Sequence, residues 1–403
     1  MIKYLAFSLF ILSFVACTFE SENETTANAA NFYEIDSPAD SVSAEPYLFT
    51  DKNGLVYLSW IERKADSSFL KFSTLINEKW STPVVITSGV DWFVNWADYP
   101  MIVSDGEGNM MAHYLEKSAK GVFTYDIKIL ASADKGKTWS KPFILHDDGK
   151  KAEHGFVSMT PYKGDFFVSW LDGRNTVSED PKADTHGHQG QMSLRAAIID
   201  VKGNKLKEWE LDNRVCDCCQ TSAAITAKGP VVIYRDRSDE EIRDIAIARL
   251  EKEAWAKPNT IYDDQWKIKG CPVNGPQVAA LENNLAIAWF SSPENQSQVK
   301  LIFSEDGGAS FGKPIRIDKD TTIGRVDLVM LDKNNAAISW MEGSKIKMTK
   351  VNKDGTVSDP VIIASSSVSR SSGFPQMVKS GKQLVFAWTN SEIKSINVAS
   401  LKL

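Results

Sequence analysis

The sequence predicts an all-β chain folded as a β-propeller of four-stranded blades. Three observations carry this: a strand unit recurs seven times, helical periodicity is absent from the body, and two turns share an eight-residue motif at blade spacing. The unit is a turn rich in Gly, Asn and Asp, a β-rich run ending in an aromatic, and a polar loop. The runs are 55–60, 110–114, 166–170, 231–234, 285–289, 336–340 and 384–388. Their aromatic markers are Trp60, Tyr114, Trp170, Tyr234, Trp289, Trp340 and Trp388, spaced 48 to 64 residues apart. Such near-apolar runs suit strands buried on both faces.

From the N-terminus, residues 1–16 read as a lipoprotein signal peptide. Lys3 supplies the positive start, residues 4–15 an apolar run, and Ala16 the small residue before Cys17. Cys17 is the expected lipidation site, and the run is too short to span a bilayer. The chain is therefore expected at the bacterial cell envelope, held to the membrane only by a lipid anchor. Residues 17–29 read as a polar tether, and 30–403 as a single propeller domain. Within it, each marker run has a preceding strand (277–280, for example) and a following one (299–303), and most repeats add a fourth (83–86). The seventh repeat stops after 395–398, so residues 31–35 are expected to supply its missing outer strand. That closure removes an exposed edge.

The composition, 43% hydrophobic and 24% charged, excludes disorder, collagen and polytopic membrane proteins. A net charge of -6 argues against nucleic acid as a partner. No cofactor is expected, and a monomer is.

The shared turn motif is Ser132-x-Asp134-x-Gly136-x-Thr138-Trp139, repeated as Ser304-x-Asp306-x-Gly308-x-Ser310-Phe311. The carboxylate accepts backbone N–H groups, the glycine takes a left-handed conformation, and the aromatic packs beneath. These turns join third to fourth strands and mark one face of the ring. Loops joining second to third strands, and blade to blade, share the opposite face, and most of the chemistry collects there. Arg174, Arg214, Arg235, Arg237, Arg325 and Arg370 come from several blades. Converging guanidinium groups would bind an acidic glycan or another anionic ligand; the alternative is that they pair with neighbouring Asp and Glu. Cys216, Cys218, Cys219 and Cys271 sit on successive interblade loops of that face. Disulfides are the default in an exported chain; the alternative is a metal site completed by His154, His186 or His188.

The two Asp-box turns, the four-stranded repeats and the export signal resemble the sialidase (neuraminidase) superfamily, Asp-box/BNR-repeat propellers. The resemblance implies a glycoside hydrolase with a Tyr nucleophile, a Glu partner, an Asp acid/base and an Arg triad. It also implies six blades, the alternative to the seven counted here. An Arg-Ile-Pro motif is absent near the start, and no Tyr follows Tyr262. The nucleophile would then be displaced to Tyr99 or Tyr234, with Asp98, Asp172, Asp236 and Glu240 as acid/base candidates. Tyr234 ends a strand and has a packing role as its alternative. Two functions stay open: a sialidase-type, exo-acting glycan-processing enzyme, and a non-catalytic propeller binding glycan, protein or metal.

Overall fold

The computed structural model of the chain describes residues 32–177 and 190–403. Cys17, the signal, the tether, His186 and His188 lie outside the described residues. Among the described residues seven antiparallel sheets form the ring, so the count of seven blades holds and the six-blade alternative falls. In each blade the chain runs outward from an inner strand. Blade 3 shows the pattern in full: His154–Tyr162, Asp165–Asp172, Ser193–Ile199 and Lys205–Asp212, each paired to the next. Blades 1 and 4 split the outermost strand in two, Lys79–Trp80 with Val84–Gly89 and Ala254–Trp255 with Asn259–Thr260.

The ring closes as its sequence pattern requires. Phe32–Ile35 pairs antiparallel with Ser395–Lys402, Phe32 facing Leu401 and Ile35 facing Val398. Phe32–Ile35 thereby completes blade 7, whose other three strands come from the C-terminal end.

The second strands, such as Asn284–Ser291 and Asn335–Glu342, are buried along nearly their whole length, because adjacent blades cover both faces of each sheet. Trp60, Trp170, Trp289 and Trp340 are sealed between blades. Three of these indoles meet the same demand. Trp170 donates to Asp172 (2.8 Å), Trp289 to Asp264 (2.6 Å) and Trp340 to Glu342 (3.0 Å). Each acceptor carboxylate is then held by a cation, Arg174, Lys300 and Lys347 respectively. A buried N–H without an acceptor is costly, and the cation offsets the charge of the buried carboxylate.

The two motif turns sit on the opposite face. In one, Ser132 Oγ accepts from Gly136 N (3.0 Å), while Asp134 accepts from Thr138 N (2.9 Å) and Thr138 Oγ1 (2.6 Å). The other repeats the bonds with Ser304, Gly308, Asp306 and Ser310. Trp139 Nε1 donates to Gly136 O, and its ring meets Phe72 of blade 1 edge-on at 6.2 Å. Phe311 packs into the core between blades 4 and 5. Gly136 and Gly308 have φ of +77° and +84°, and a Cβ on either would strike the preceding blade, at Phe72 or Ile247. These turns therefore lock neighbouring blades.

Truncating one sealed indole should expose how far the frame depends on it. Trp289→Ala is expected to cost about 3–5 kcal/mol in equilibrium denaturation. A loss below about 1 kcal/mol would mean that the cavity collapses and the indole is not a frame element.

Candidate functional site

The inner strands enclose a central channel of about 640 Å³, with Tyr47, Asp98, Tyr99, Gln220, Gln277 and Asp327 on its wall. Asp98 and Asp327 each take the backbone N–H of the next blade's first strand: Asp98 from Phe156 (2.8 Å), Asp327 from Met377 (2.6 Å). Burial pushes both carboxyls up to about 7, against the pull of those hydrogen bonds. Tyr99 stacks on Tyr47 at 6.1 Å and its hydroxyl bonds Gln376 and Gln277.

Behind Asp98, the interblade face brings together three groups at the seam of blades 2 and 3. Tyr125 begins the third strand of blade 2, and its hydroxyl donates to Glu153 Oε1 at 2.8 Å; Asp98 Oδ2 lies 3.5 Å from the same hydroxyl. The backbone fixes the pair: Tyr125 N donates to Ala152 O, and Gly173 N donates to Glu153 O (2.8 Å). Gly155 permits the approach, since a Cβ there would lie 2.1 Å from Asp98 Oδ2 and 3.0 Å from the Tyr125 ring. Burial pushes Glu153 up to about 8; the Tyr125 bond opposes this, and the charges of Asp98, Asp217 and Cys271 add to it. Tyr125 rises well above its ordinary value for the same first reason. Phe93 stacks flat on Tyr125 at 4.0 Å, and exposed Phe123 meets Phe93 edge-on.

Sequence reasoning gave neither Tyr125 nor Glu153 a catalytic role. The signal was topological: both residues border loops of the interblade face, one opening a third strand and the other preceding a first strand.

The other acid/base candidates have different surroundings. Asp172 is fully buried and bound in bidentate fashion by Arg174, both contacts at 2.8 Å. Burial pushes it up, but the Arg174 bond prevails and holds it below the usual range. It is the indole acceptor of blade 3, not a poised acid. Tyr234 is buried and donates to Asp212 at 2.5 Å, and Asp212 lines a separate cleft with Asp236, Arg214 and Arg237. Burial pushes Asp236 up to about 6. Glu240 is exposed and bonds Ser238.

The guanidinium groups are largely committed. Arg174 also faces Asp148 and Glu208, and Arg214 pairs with Asp239. Arg237 grips Glu241, which Arg243 shares (2.9 Å). Arg235 is buried against backbone carbonyls of Arg243, Asn274 and Phe290, over the Trp266 ring. Arg325 donates to Ser372 Oγ and to the carbonyls of Gly373 and Ser369, so it pins the short helical turn Arg370–Ser372. Burial lowers it to about 10. Arg370 is exposed, over the half-buried Trp96 ring at 5.9 Å. The pairing alternative thus describes Arg174, Arg214 and Arg237; Arg235 and Arg325 are taken by backbone carbonyls, and Arg370 is the exposed member of the set.

His154 lies apart from the cysteines: its ring stacks on His146 at 3.5 Å and bonds Asp148 (2.8 Å). The four cysteines have free thiols, with Cys216 Sγ 3.8 Å from the sulfurs of both Cys218 and Cys219.

No family model matches the sequence, and no curated protein matches it. Solved structures do. The polysaccharide lyase Uly1 superposes with TM-score 0.54 at 10% identity, covering 96% of this chain and 94% of that one. A Mycobacterium tuberculosis puromycin-hydrolyzing peptidase gives 0.52 at 11%, covering 93% of this chain and 56% of its own. The NanB sialidase of Streptococcus pneumoniae gives 0.47 at 10%, covering 94% and 93%. At these identities the likeness is one of fold.

The raised carboxyls make a prediction about pH. Asp98 and Asp327 bind a proton more tightly folded than unfolded, so their contribution is full below pH about 4 and is lost as pH rises through about 7. The denaturation midpoint should fall between pH 5 and 8, and Asp98→Asn with Asp327→Asn should flatten that fall. A wild-type profile that is level or rising across this window would show that both carboxyls ionise normally.

Proposed function

We propose that this propeller is a glycan-processing enzyme that cleaves an acidic sugar chain by acid/base chemistry at Glu153, Tyr125 and Asp98. The single observation behind this reading is a phenol hydroxyl 2.8 Å from one raised carboxyl and 3.5 Å from a second. Glu153 is only half-buried, so it is the group that meets substrate. Protonated Glu153 gives its proton to the leaving glycosidic oxygen, Tyr125 hands its own to Glu153, and protonated Asp98 replaces it on the phenol, so no buried phenolate is left. Two aromatic rings beside the trio, Phe93 and exposed Phe123, offer apolar surface to sugar rings. Arg370 over Trp96 supplies a cation for an acidic sugar. Among structures of the same fold, Uly1 is a polysaccharide lyase and NanB a sialidase. Fold does not fix chemistry, so the reading rests on the trio.

One observation favours a second reading, a propeller that binds glycan without cleaving it: Tyr125 itself is 1% exposed. The signal ending at Cys17 supports placement at the cell envelope in either case.

A panel of fluorogenic sialosides and acidic polysaccharides separates the two. Turnover is expected, with Glu153→Gln and Tyr125→Phe lowering kcat about 10²–10⁴-fold. Arg370→Ala should raise KM about tenfold and leave kcat in place, as loss of uniform binding does. Retained glycan binding without turnover by the folded protein would establish the second reading. For the anchor, labelled palmitate should enter the wild-type chain and not Cys17→Ala; label in both would remove lipidation at Cys17.

A further inference from the structure

The interblade loops of blades 4 and 5 hold a feature that the carboxyl–phenol chemistry does not use. Val215 bridges to Asp236, and Cys216 N donates to Arg235 O at 3.0 Å, so the chain enters a tight turn from a fixed edge. Cys216, Cys218 and Cys219 then place three ligand atoms within 4.8 Å of one another. Cys271, on the next interblade loop, is exposed beside Cys218 and lies outside this group of three, so it must swing in as the fourth ligand. We infer that Cys216, Cys218, Cys219 and Cys271 bind one zinc ion as a tetrathiolate site.

Three observations carry this. First is spacing: Cys216 Sγ stands 3.8 Å from two different sulfurs. A Zn–S bond of about 2.3 Å in a tetrahedron sets sulfurs about 3.8 Å apart. A disulfide would single out one partner; here Cys216 is equidistant from two. Second, N–H donors aim at the sulfurs: Arg243 Nη1 reaches Cys216 Sγ at 3.2 Å, and Asn274 N reaches Cys219 Sγ at 3.4 Å. Donors of this kind orient and stabilise metal-bound thiolates. Third is charge. Four thiolates around Zn²⁺ leave two negative charges, and the Arg243 guanidinium at Cys216 Sγ offsets part of them.

Four sulfur ligands suit zinc, and a site closed by four protein ligands is structural rather than catalytic. It would tie the Cys216–Cys219 turn of blade 4 to the Cys271 loop of blade 5. No cofactor is expected from the sequence and disulfides are the default there; the sulfur geometry favours the metal alternative.

The test uses the full chain, extracted from membranes in detergent without reductant or chelator. Metal analysis should find about one zinc per chain. Thiol titration in denaturant with chelator should find four reactive cysteines beyond any lipidated one. Cobalt exchanged into the protein should give the intense visible bands of a tetrahedral tetrathiolate. Cys218→Ser and Cys271→Ser should lose the zinc, and Arg243→Gln should weaken zinc in chelator competition about 10–100-fold. Should the Cys variants fail to fold, the wild-type metal content and thiol count decide alone. A metal-free chain whose intact mass lacks the hydrogens of two disulfides overturns the assignment. Four free thiols without metal, or iron or copper in place of zinc, overturn it equally.

Discussion

The structure turns on one buried interaction, the indole N–H of a second strand held by a carboxylate that is itself held by a cation. Trp170–Asp172–Arg174, Trp289–Asp264–Lys300 and Trp340–Glu342–Lys347 are three versions of it. Blade 1 keeps the ionic half, Glu62 with Lys71 at 2.6 Å, beneath its own sealed Trp60. Blades stack face to face, and in three of them the sealed indole's one polar atom finds a carboxylate without water, whereas Trp60 Nε1 has no hydrogen-bond partner among the described residues. A neutral acceptor would suffice for the bond, but a carboxylate makes it stronger and then needs a countercharge. In blades 3 and 6 the acceptor lies two residues past the Trp, at the strand's end, so the frame's polar requirement is met at the rim of the interblade face.

That location explains why the same face looks chemically richer in sequence than it is in space. Asp172 and Arg174 are drawn to the rim by Trp170, not by a ligand. Arg235 and Arg325 serve backbone carbonyls where loops turn, work that a planar guanidinium with five donors does well. Arg237 and Arg243 divide Glu241 between them. Once these obligations are met, the face retains Glu153, Tyr125, Asp98, Trp96 and Arg370. Glu153, Tyr125 and Asp98 meet at one phenol oxygen, Arg370 lies over the Trp96 ring, and neither carboxyl is the acceptor of a sealed second-strand indole.

The repeat was legible because its period and its aromatic ends are enforced by packing. The strand at 31–35 could be assigned to blade 7 from a count alone, since an unpaired edge is what the seventh repeat lacked. The six arginines were legible as residues and illegible as partners: pairing depends on which carboxylate the loop geometry presents, and Glu241 lies only four residues from Arg237 while Glu208 reaches Arg174 from another strand. Tyr125 and Glu153 carried no local motif. They meet through a parallel bridge between a third strand and the next blade's entry, a contact that no spacing rule encodes.

The seam of blades 2 and 3 can host such a trio because regular pairing fails there. The ladder between His154–Tyr162 and Asp165–Asp172 skips between Gly155 and Ser158, and Phe156 takes a left-handed φ of 53°. A bulge re-aims side chains and bends its strand. Here it turns the Phe156 N–H toward Asp98 and leaves Gly155 facing Asp98 and Tyr125, where no side chain would fit. Backbone strain of this kind persists only where the surroundings over-determine it. The surroundings are supplied by the rigid frame on either side, with Trp170 sealed and Asp172 locked by Arg174. The rigidity of the blades and the irregularity of the seam are thus one arrangement: beside the sealed Trp170, two carboxyls meet one buried phenol, Asp98 out of water and Glu153 half-exposed.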